Sequence, residues 1–154
     1  MKKINYKKLI FQILFPFVLG GIVGFLTKED YSYVESLDKS INIPNYIFII
    51  VWSVLYLMMG LWAYLYDRDY PNDSKTMNLY YISILVNILF TPILFSMHNL
   101  VLALIDVLIL IGIVLYLLIK TLKNKKKYGY LLLPYFVWLF VALTLMLDLI
   151  LHNI

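Results

Sequence analysis

The stretch from Pro44 to Tyr66, PNYIFIIVWSVLYLMMGLWAYLY, decides the fold because it is long and apolar enough to cross a bilayer. It contains two of the three tryptophans of the chain. On a helix, Trp52, Tyr56 and Gly60 lie four residues apart and share one face, which places two rings beside a bare backbone position. This face predicts either a slot for a flat ligand or the close approach of a neighbouring helix.

Composition places the whole chain in a membrane. Of the 154 residues, 63% are hydrophobic and 14% are charged, whereas soluble domains are roughly 25% charged. Apolar runs of about 20 residues, the length that spans a bilayer, cover residues 9–26, 44–66, 77–97, 100–119 and 131–151. We therefore predict an all-α membrane protein in which residues 1–154 form a single five-transmembrane-helix bundle. Cysteine is absent, which excludes disulfides and thiolate chemistry.

Basic residues collect on one side of the predicted bundle. That side carries Lys2, Lys3, Lys7, Lys8, Arg68, Lys75, Lys120, Lys123, Lys125, Lys126 and Lys127, against Lys28 and Lys39 on the other. Because basic residues are retained in the cytoplasm, we predict a multi-pass protein of a bacterial cell membrane with a cytoplasmic N-terminus and an exterior C-terminus. The cluster from Lys120 to Lys127 is expected to contact anionic membrane lipid. It lacks the fold and the interleaved aromatic residues that would support nucleic-acid binding, so no nucleic-acid partner is expected.

Residues 27–43, TKEDYSYVESLDKSINI, form a connection that is long beside the roughly 4–6 residues of most connections. We expect Asp30 to cap a short helix on which Val34, Leu37 and Ile41 face one way. Such a segment is either a lid over the mouth of the bundle or a solvated linker.

Polar residues inside the apolar spans are expected to face another helix or a ligand, because an unpaired polar group in hydrocarbon is costly. Asn87 lies in the third span, with Phe90 three positions later and within reach of the same face. Asp106 lies in the fourth span, where it is either a functional acid or a carboxyl group that ties helices together. His98 and His152 are far apart in sequence, and we interpret both as surface residues.

The fifth span repeats the pattern of the second. Tyr135, Trp138 and Ala142 lie on one side of the predicted helix, so that a wide ring is again followed by a small residue one turn later. Together the two faces predict a slot for a planar apolar molecule.

The order of these motifs resembles that of the translocator proteins, called tryptophan-rich sensory proteins in bacteria (the TspO/MBR family). The resemblance covers almost the whole chain. It is carried by W-x-x-L-Y-x-x-M-G at residues 52–60, by Asn87 followed by Phe90, by A-L-x-D at 103–106 and by P-Y-x-x-W at 134–138. The sequence departs from the family where Ser40 to Ile43 replace a tryptophan-rich stretch and where Met146 stands for an asparagine.

The resemblance implies a five-helix bundle, often a homodimer, whose pocket binds tetrapyrroles such as protoporphyrin or haem under a lid formed by the first loop. With Tyr135 added, the candidate ligand-binding residues are Trp52, Tyr56, Asn87, Phe90, Tyr135, Trp138 and Ala142. Lys28 and Lys39 are placed to meet propionate groups at the rim.

The leading functional hypothesis is a binder or sensor of a porphyrin-like small molecule that requires no cofactor. The alternative is a transporter or a lipid- or sterol-handling membrane protein in which Asp106 titrates or pairs during passage of a solute. The sequence contains no nucleophile and base pair, metal cluster or phosphate loop, so at most light-dependent degradation of bound porphyrin is expected as chemistry.

Overall fold

The computed structural model describes residues 4–154, and in that range the chain forms six α-helices and no strand. The helices are α1 (Tyr6–Leu26), α2 (Ser32–Ser36), α3 (Asn45–Asp69), α4 (Ser74–Phe95), α5 (Leu100–Lys123) and α6 (Leu133–Asn153), with 3-10 turns at Lys28–Tyr31 and Lys127–Leu132. All except α2 are long and apolar enough to cross a membrane. The predicted five-span fold is thus confirmed. Of the basic residues used for orientation, Lys2 and Lys3 lie outside the described residues.

The α1 and α4 helices begin before their apolar runs because polar side chains cap their first turns. The Asn5 side chain accepts from the amide of Lys8 at the start of α1, and Asp73 accepts from the amide of Thr76 at the start of α4. The α5 helix continues to Lys123, four residues past the apolar run. Hydropathy locates the membrane core, whereas capping determines where a helix begins.

The contacts between the helices place the predicted slot between α3, α4 and α6. The α1 helix packs along α3 and touches α4, while α5 lies between α4 and α6. The α3 helix meets α4 and α6 over shorter stretches. A Cβ atom on Gly60 would lie 2.6 Å from the Ile13 Cα, so this glycine serves the close approach of α1. The sequence left two interpretations of the Trp52–Tyr56–Gly60 face, a ligand slot or the approach of a neighbouring helix. At Gly60 the structure shows the approach of a helix.

The buried side chains form two hydrophobic clusters. The large cluster surrounds Trp62, Tyr66 and Tyr80, all of which are 1% exposed or less. The smaller cluster, here called the lid-end cluster, consists of Leu94, Leu100, Ala103, Val107, Met146 and Leu149. Asn87 and Asp106 are buried polar residues that belong to neither cluster.

The segment of residues 27–43, here called the lid segment, packs against the lid-end cluster through Tyr33, Val34 and Leu37. The α2 helix within it is one turn long and has no side-chain cap. The expected capping role of Asp30 is wrong, because its carboxylate accepts a hydrogen bond from the Ser96 hydroxyl at the α4–α5 turn. A long-range partner has replaced the local one.

At the opposite end, here called the basic end, ion pairs join the ends of four helices. Lys8 pairs with Asp67 at 3.0 Å, and Lys120 pairs with Asp73 at 2.8 Å. The hydrogen bond from Lys120, together with those from Thr76 and Tyr66, holds the pKa of Asp73 well below its usual range, against a smaller opposing effect of burial. Lys126 pairs with Asp69 at 2.8 Å, which raises the pKa of the lysine.

Candidate functional site

Four of the seven predicted site residues form one connected group inside the bundle. The Tyr56 hydroxyl donates to Asn87 Oδ1 over 3.3 Å, and Asn87 Nδ2 donates to the Tyr135 hydroxyl over 3.1 Å. The Trp52 ring lies 5.4 Å from Tyr56 and 6.0 Å from Tyr135, centroid to centroid. The α3, α4 and α6 helices thus each contribute to a polar line bordered by aromatic rings.

The other three predicted residues surround this group. Trp138 is half-buried and its ring meets Phe48 edge-on, with the centroids 5.8 Å apart. Phe90 and Ala142 pack against the lid-end cluster. The predicted slot therefore follows the boundary between the two hydrophobic clusters, with Asn87 at its centre.

The aromatic rings fill the slot themselves. The Trp52 ring contacts the rings of both Tyr56 and Tyr135, and Tyr56 fits over Gly20 of α1, where a Cβ atom would lie 2.7 Å from the tyrosine oxygen. Open clefts lie instead at the basic end, where a cleft of about 460 Å³ is lined by Asp69, Tyr70, Pro71, Asn72 and Asp73. Binding of a flat ligand between these rings would require Trp52 to separate from Tyr56 or Tyr135.

Asp106 is a buried carboxyl group of α5. It lies on the inner face of α5 with Ala103, Val107 and Leu110, and it is 6% exposed. Its Oδ2 atom is buried and makes no hydrogen bond within residues 4–154.

Comparison with known proteins identifies the family of the chain. The model of the TspO/MBR family matches residues 12–151 of the chain. The chain belongs to the TspO/MBR family. It is 27% identical over 152 residues to the tryptophan-rich protein TspO of Archaeoglobus fulgidus, a match that covers 97% of this chain and 99% of that protein.

Two further relatives come from Bacillus. The chain is 30% identical over 135 residues to the tryptophan-rich protein TspO of Bacillus cereus, covering 86% of this chain and 88% of that one. It is 29% identical over 143 residues to the uncharacterized membrane protein YtaB of Bacillus subtilis, covering 90% of each. The resemblance inferred from the motifs is thereby confirmed, and the chain is a multi-pass membrane protein.

In this member of the TspO/MBR family, the last turns of α6 hold the lid segment, an arrangement that sequence reasoning missed. Asp148 Oδ2 accepts from the backbone amides of Ser40 and Ile41 at 2.9 and 3.0 Å. Asn153 brackets the backbone of Asp38, accepting from its amide at 3.1 Å and donating to its carbonyl at 2.8 Å. We call Asp148, His152 and Asn153 the C-terminal clasp.

Both histidines of the chain contact the lid segment. The His152 ring lies 3.1 Å from the Ser40 hydroxyl, and the Tyr33 ring stacks on His98 with the centroids 3.9 Å apart. The one signal in the sequence was the four-residue spacing of Asp148 and His152, which places two polar side chains on one face near the end of α6. Neither histidine lies in the slot.

Proposed function

We propose that the chain binds a planar, largely apolar small molecule of the porphyrin class in the slot between α3, α4 and α6. The observation that carries this proposal is the hydrogen-bonded line Tyr56–Asn87–Tyr135 beside the half-buried Trp52 ring. Buried polar groups aligned with aromatic walls are typical of small-molecule sites, where apolar contact supplies affinity and a few polar groups fix orientation.

The lid segment supports the same proposal. Hydrogen bonds to Asp148 and Asn153 hold the lid segment across the lid end of the bundle. Release of the lid segment from these two residues would open a path to the slot. Lys28 and Lys39 lie on this segment, and the propionates of a porphyrin would meet them there. In this arrangement the lid end faces the exterior and the basic end the cytoplasm.

The residues present fit a free-base porphyrin better than haem. The slot offers aromatic faces and an amide, while both histidines contact the lid segment. Protoporphyrin is therefore the first probe. Homodimer formation remains a prediction of the family resemblance.

The test is titration of detergent-purified protein with protoporphyrin, followed by tryptophan emission and by the absorption band of the porphyrin itself. We expect saturable quenching, with affinity lost in the double variant Trp52→Ala and Trp138→Ala. Trp62→Phe is the matched control, because Trp62 is fully buried in the large cluster and leaves both slot tryptophans in place. Equal affinity in the wild type and the double variant would refute the proposal.

A transport function is the second candidate, and the unpartnered Asp106 carboxyl favours it. Under this hypothesis Asp106→Asn abolishes flux of a solute across proteoliposomes while static binding is retained. Flux that is unchanged in this variant would remove the one observation that supports transport.

A further inference from the structure

Two clefts at the basic end differ in the charge of the residues that line them. The larger cleft, described above, has Asp69 and Asp73 as its charged lining residues. A smaller cleft of about 200 Å³ lies between the start of α1 and the end of α3. It is lined by Asn5, Lys8, Tyr64, Asp67, Arg68 and Pro71. Two cations and one acid line the smaller cleft, so it favours an anion, whereas the acids of the larger cleft disfavour one.

Three groups of the smaller cleft can donate hydrogen bonds to an anion. Lys8 Nζ donates to Asp67 Oδ2 over 3.0 Å, and an ammonium group has two more N–H donors. The Tyr64 hydroxyl accepts from the amide of Asn5 over 2.9 Å, and its own hydrogen has no acceptor within residues 4–154. Arg68 contributes a guanidinium group, whose planar fork of donors matches the oxygens of a phosphate. Donors from two helices thus surround one cleft.

The size of the smaller cleft limits what it can hold. Sites that enclose drug-sized molecules have volumes of roughly 300–1,000 Å³, and this cleft, at about 200 Å³, is smaller. It suits a compact group such as a phosphate rather than a whole planar ring system. The Tyr64 side chain is 5% exposed, so its hydroxyl is held in place for such a group.

The position of the smaller cleft along the helices indicates a lipid as the source of the phosphate. Lys8 immediately precedes the apolar run of α1, and Arg68 follows the apolar run of α3 by two residues. The ends of membrane-spanning apolar runs lie at the level of the lipid headgroups. Ile10 and Leu14, further along α1, are 55% and 51% exposed, so they offer apolar surface to acyl chains.

The charge of the whole basic end favours an anionic lipid. Nine of the basic residues assigned to this side lie within residues 4–154, against the three aspartates Asp67, Asp69 and Asp73. In the cluster from Lys120 to Lys127, where the sequence predicts lipid contact, Lys120 and Lys126 are each paired with one of these acids. The excess of positive charge attracts anionic headgroups, and the smaller cleft offers them a defined place.

We propose that the smaller cleft, between α1 and α3, binds the phosphate group of an anionic phospholipid. The phosphate oxygens accept from Lys8 Nζ, the Arg68 guanidinium and the Tyr64 hydroxyl, while the acyl chains lie along the exposed apolar side chains of α1. This site is separate from the slot between α3, α4 and α6, so it stands or falls independently of the proposed function.

The test is a displacement assay on the detergent-purified full chain. The bound probe is phosphatidylglycerol with a fluorophore on one acyl chain, and its anisotropy is followed as unlabelled phosphatidylglycerol, phosphatidylcholine or sodium phosphate is added at constant ionic strength. We expect phosphatidylglycerol to displace the probe at a concentration at least about tenfold lower than phosphatidylcholine, whose choline ammonium would face the cations of the cleft. Sodium phosphate has no acyl chains to contribute and should not displace the probe.

A pair of charge-matched variants separates the cleft from the general charge of the basic end. The double variant Lys8→Gln and Arg68→Gln should bind the probe at least about tenfold more weakly, since each basic residue near an anionic membrane surface contributes a factor of about five. The control, Lys123→Gln and Lys127→Gln, removes the same charge from exposed positions outside the cleft. It should change the affinity less than about twofold, because exposed charges at a distance are screened by salt.

Three results would overturn the proposal. Equal displacement by the two lipids would remove the preference for an anionic lipid, and displacement by sodium phosphate at lipid concentrations would indicate a site for free phosphate instead. Equal weakening in the two double variants would mean that the charge of the basic end acts without a defined site. Thermal unfolding checks that the variants fold. Lys8→Gln alone, at a side chain that is 61% exposed, should still weaken binding by a factor of about five.

Discussion

The α3 helix carries the same aromatic pair twice, and the two copies have different environments. Trp52 and Tyr56 are four residues apart, as are Trp62 and Tyr66, with ring centroids 5.4 and 5.1 Å apart. Trp62 and Tyr66 are both 0% exposed, whereas Trp52 and Tyr56 are only partly buried. Spacing and ring geometry are thus nearly identical, and the surroundings alone distinguish a core pair from a candidate site.

The two aromatic pairs differ in the hydrogen-bond partners of their polar atoms. Trp62 Nε1 donates to Thr121 at 3.2 Å, and the Tyr66 hydroxyl donates to Asp73 at 2.8 Å. Each polar hydrogen of the core pair therefore has an acceptor within the protein. The Tyr56 hydroxyl instead donates to Asn87, which donates to Tyr135, and the Tyr135 hydroxyl has no acceptor of its own within residues 4–154. An aromatic pair becomes a candidate site when its polar neighbours are incompletely satisfied.

The largest expected contrast is between Trp62→Ala and Trp52→Ala. Removing the fully buried Trp62 leaves a cavity and removes the donor to the Thr121 hydroxyl, and should lower the free energy of unfolding by about 3–5 kcal/mol. Trp52→Ala opens a partly exposed position and should lower it by about 1 kcal/mol. Thermal unfolding in detergent, followed by circular dichroism, measures both. Equal losses would show that the two pairs have the same structural role.

The second contrast concerns the lid segment that covers the Trp52 pair. Asp148→Ala leaves the amides of Ser40 and Ile41 without their acceptor. Hydrogen bonds to a charged group contribute about 1.5–3 kcal/mol, so exchange of these two amides should accelerate at least about tenfold, while the large cluster stays protected. Glu35→Ala, on the same segment and exposed, is the control. Unchanged exchange at Ser40 and Ile41 would argue against the clasp.

A third contrast perturbs Tyr56 without touching Tyr66. A Cβ on Gly20 would lie 2.7 Å from the Tyr56 oxygen, whereas one on the adjacent Gly21 would meet nothing within 4 Å. Both Gly→Ala changes gain helix propensity, up to about 1 kcal/mol, but only Gly20→Ala displaces the tyrosine from Asn87. We expect Gly20→Ala to be less stable than Gly21→Ala by about 1–2 kcal/mol in a thermal melt. Indistinguishable variants would mean that the Tyr56–Asn87 bond contributes little.

These features differ in how far the sequence predicts them. The five spans follow from hydropathy because each membrane helix must bury its own backbone polar groups and therefore needs an unbroken apolar run. The family resemblance predicts that Trp52, Asn87 and Tyr135 line one pocket, and in the structure Tyr135 contacts both of the others. Whether they bind a ligand stays a prediction.

Long-range partners could not be predicted in the same way. The role of Gly60 depends on the backbone of α1 at Ile13, and the role of Asp148 depends on two backbone amides in the lid segment. Backbone groups carry no residue identity, so nothing in the sequence marks them as partners. Asp30 shows the opposite case. Its position predicts a local helix cap, but the fold brings its carboxylate to the Ser96 hydroxyl instead.

The smallest expected effect is the response of the two pairs to acid. The folded-state pKa of Asp73 is depressed by Lys120, Thr76 and Tyr66, so its contribution to stability is present above the ordinary aspartate pKa of about 4 and is lost as pH falls through the lower folded value. Because Tyr66 donates to Asp73, acid should loosen the Trp62 pair and leave the Trp52 pair unaffected.

Unfolding of the wild type and Asp73→Asn, measured at pH of about 6 and about 3, checks this sign. The wild type should lose more stability between the two values than the variant, which has no carboxylate to protonate at this position. The difference should be modest, because the ion pair lies near the end of the bundle and its carboxylate is partly exposed. A parallel response in both proteins would mean that the Lys120–Asp73 pair does not stabilise the fold, and that burial alone separates the core pair from the candidate site.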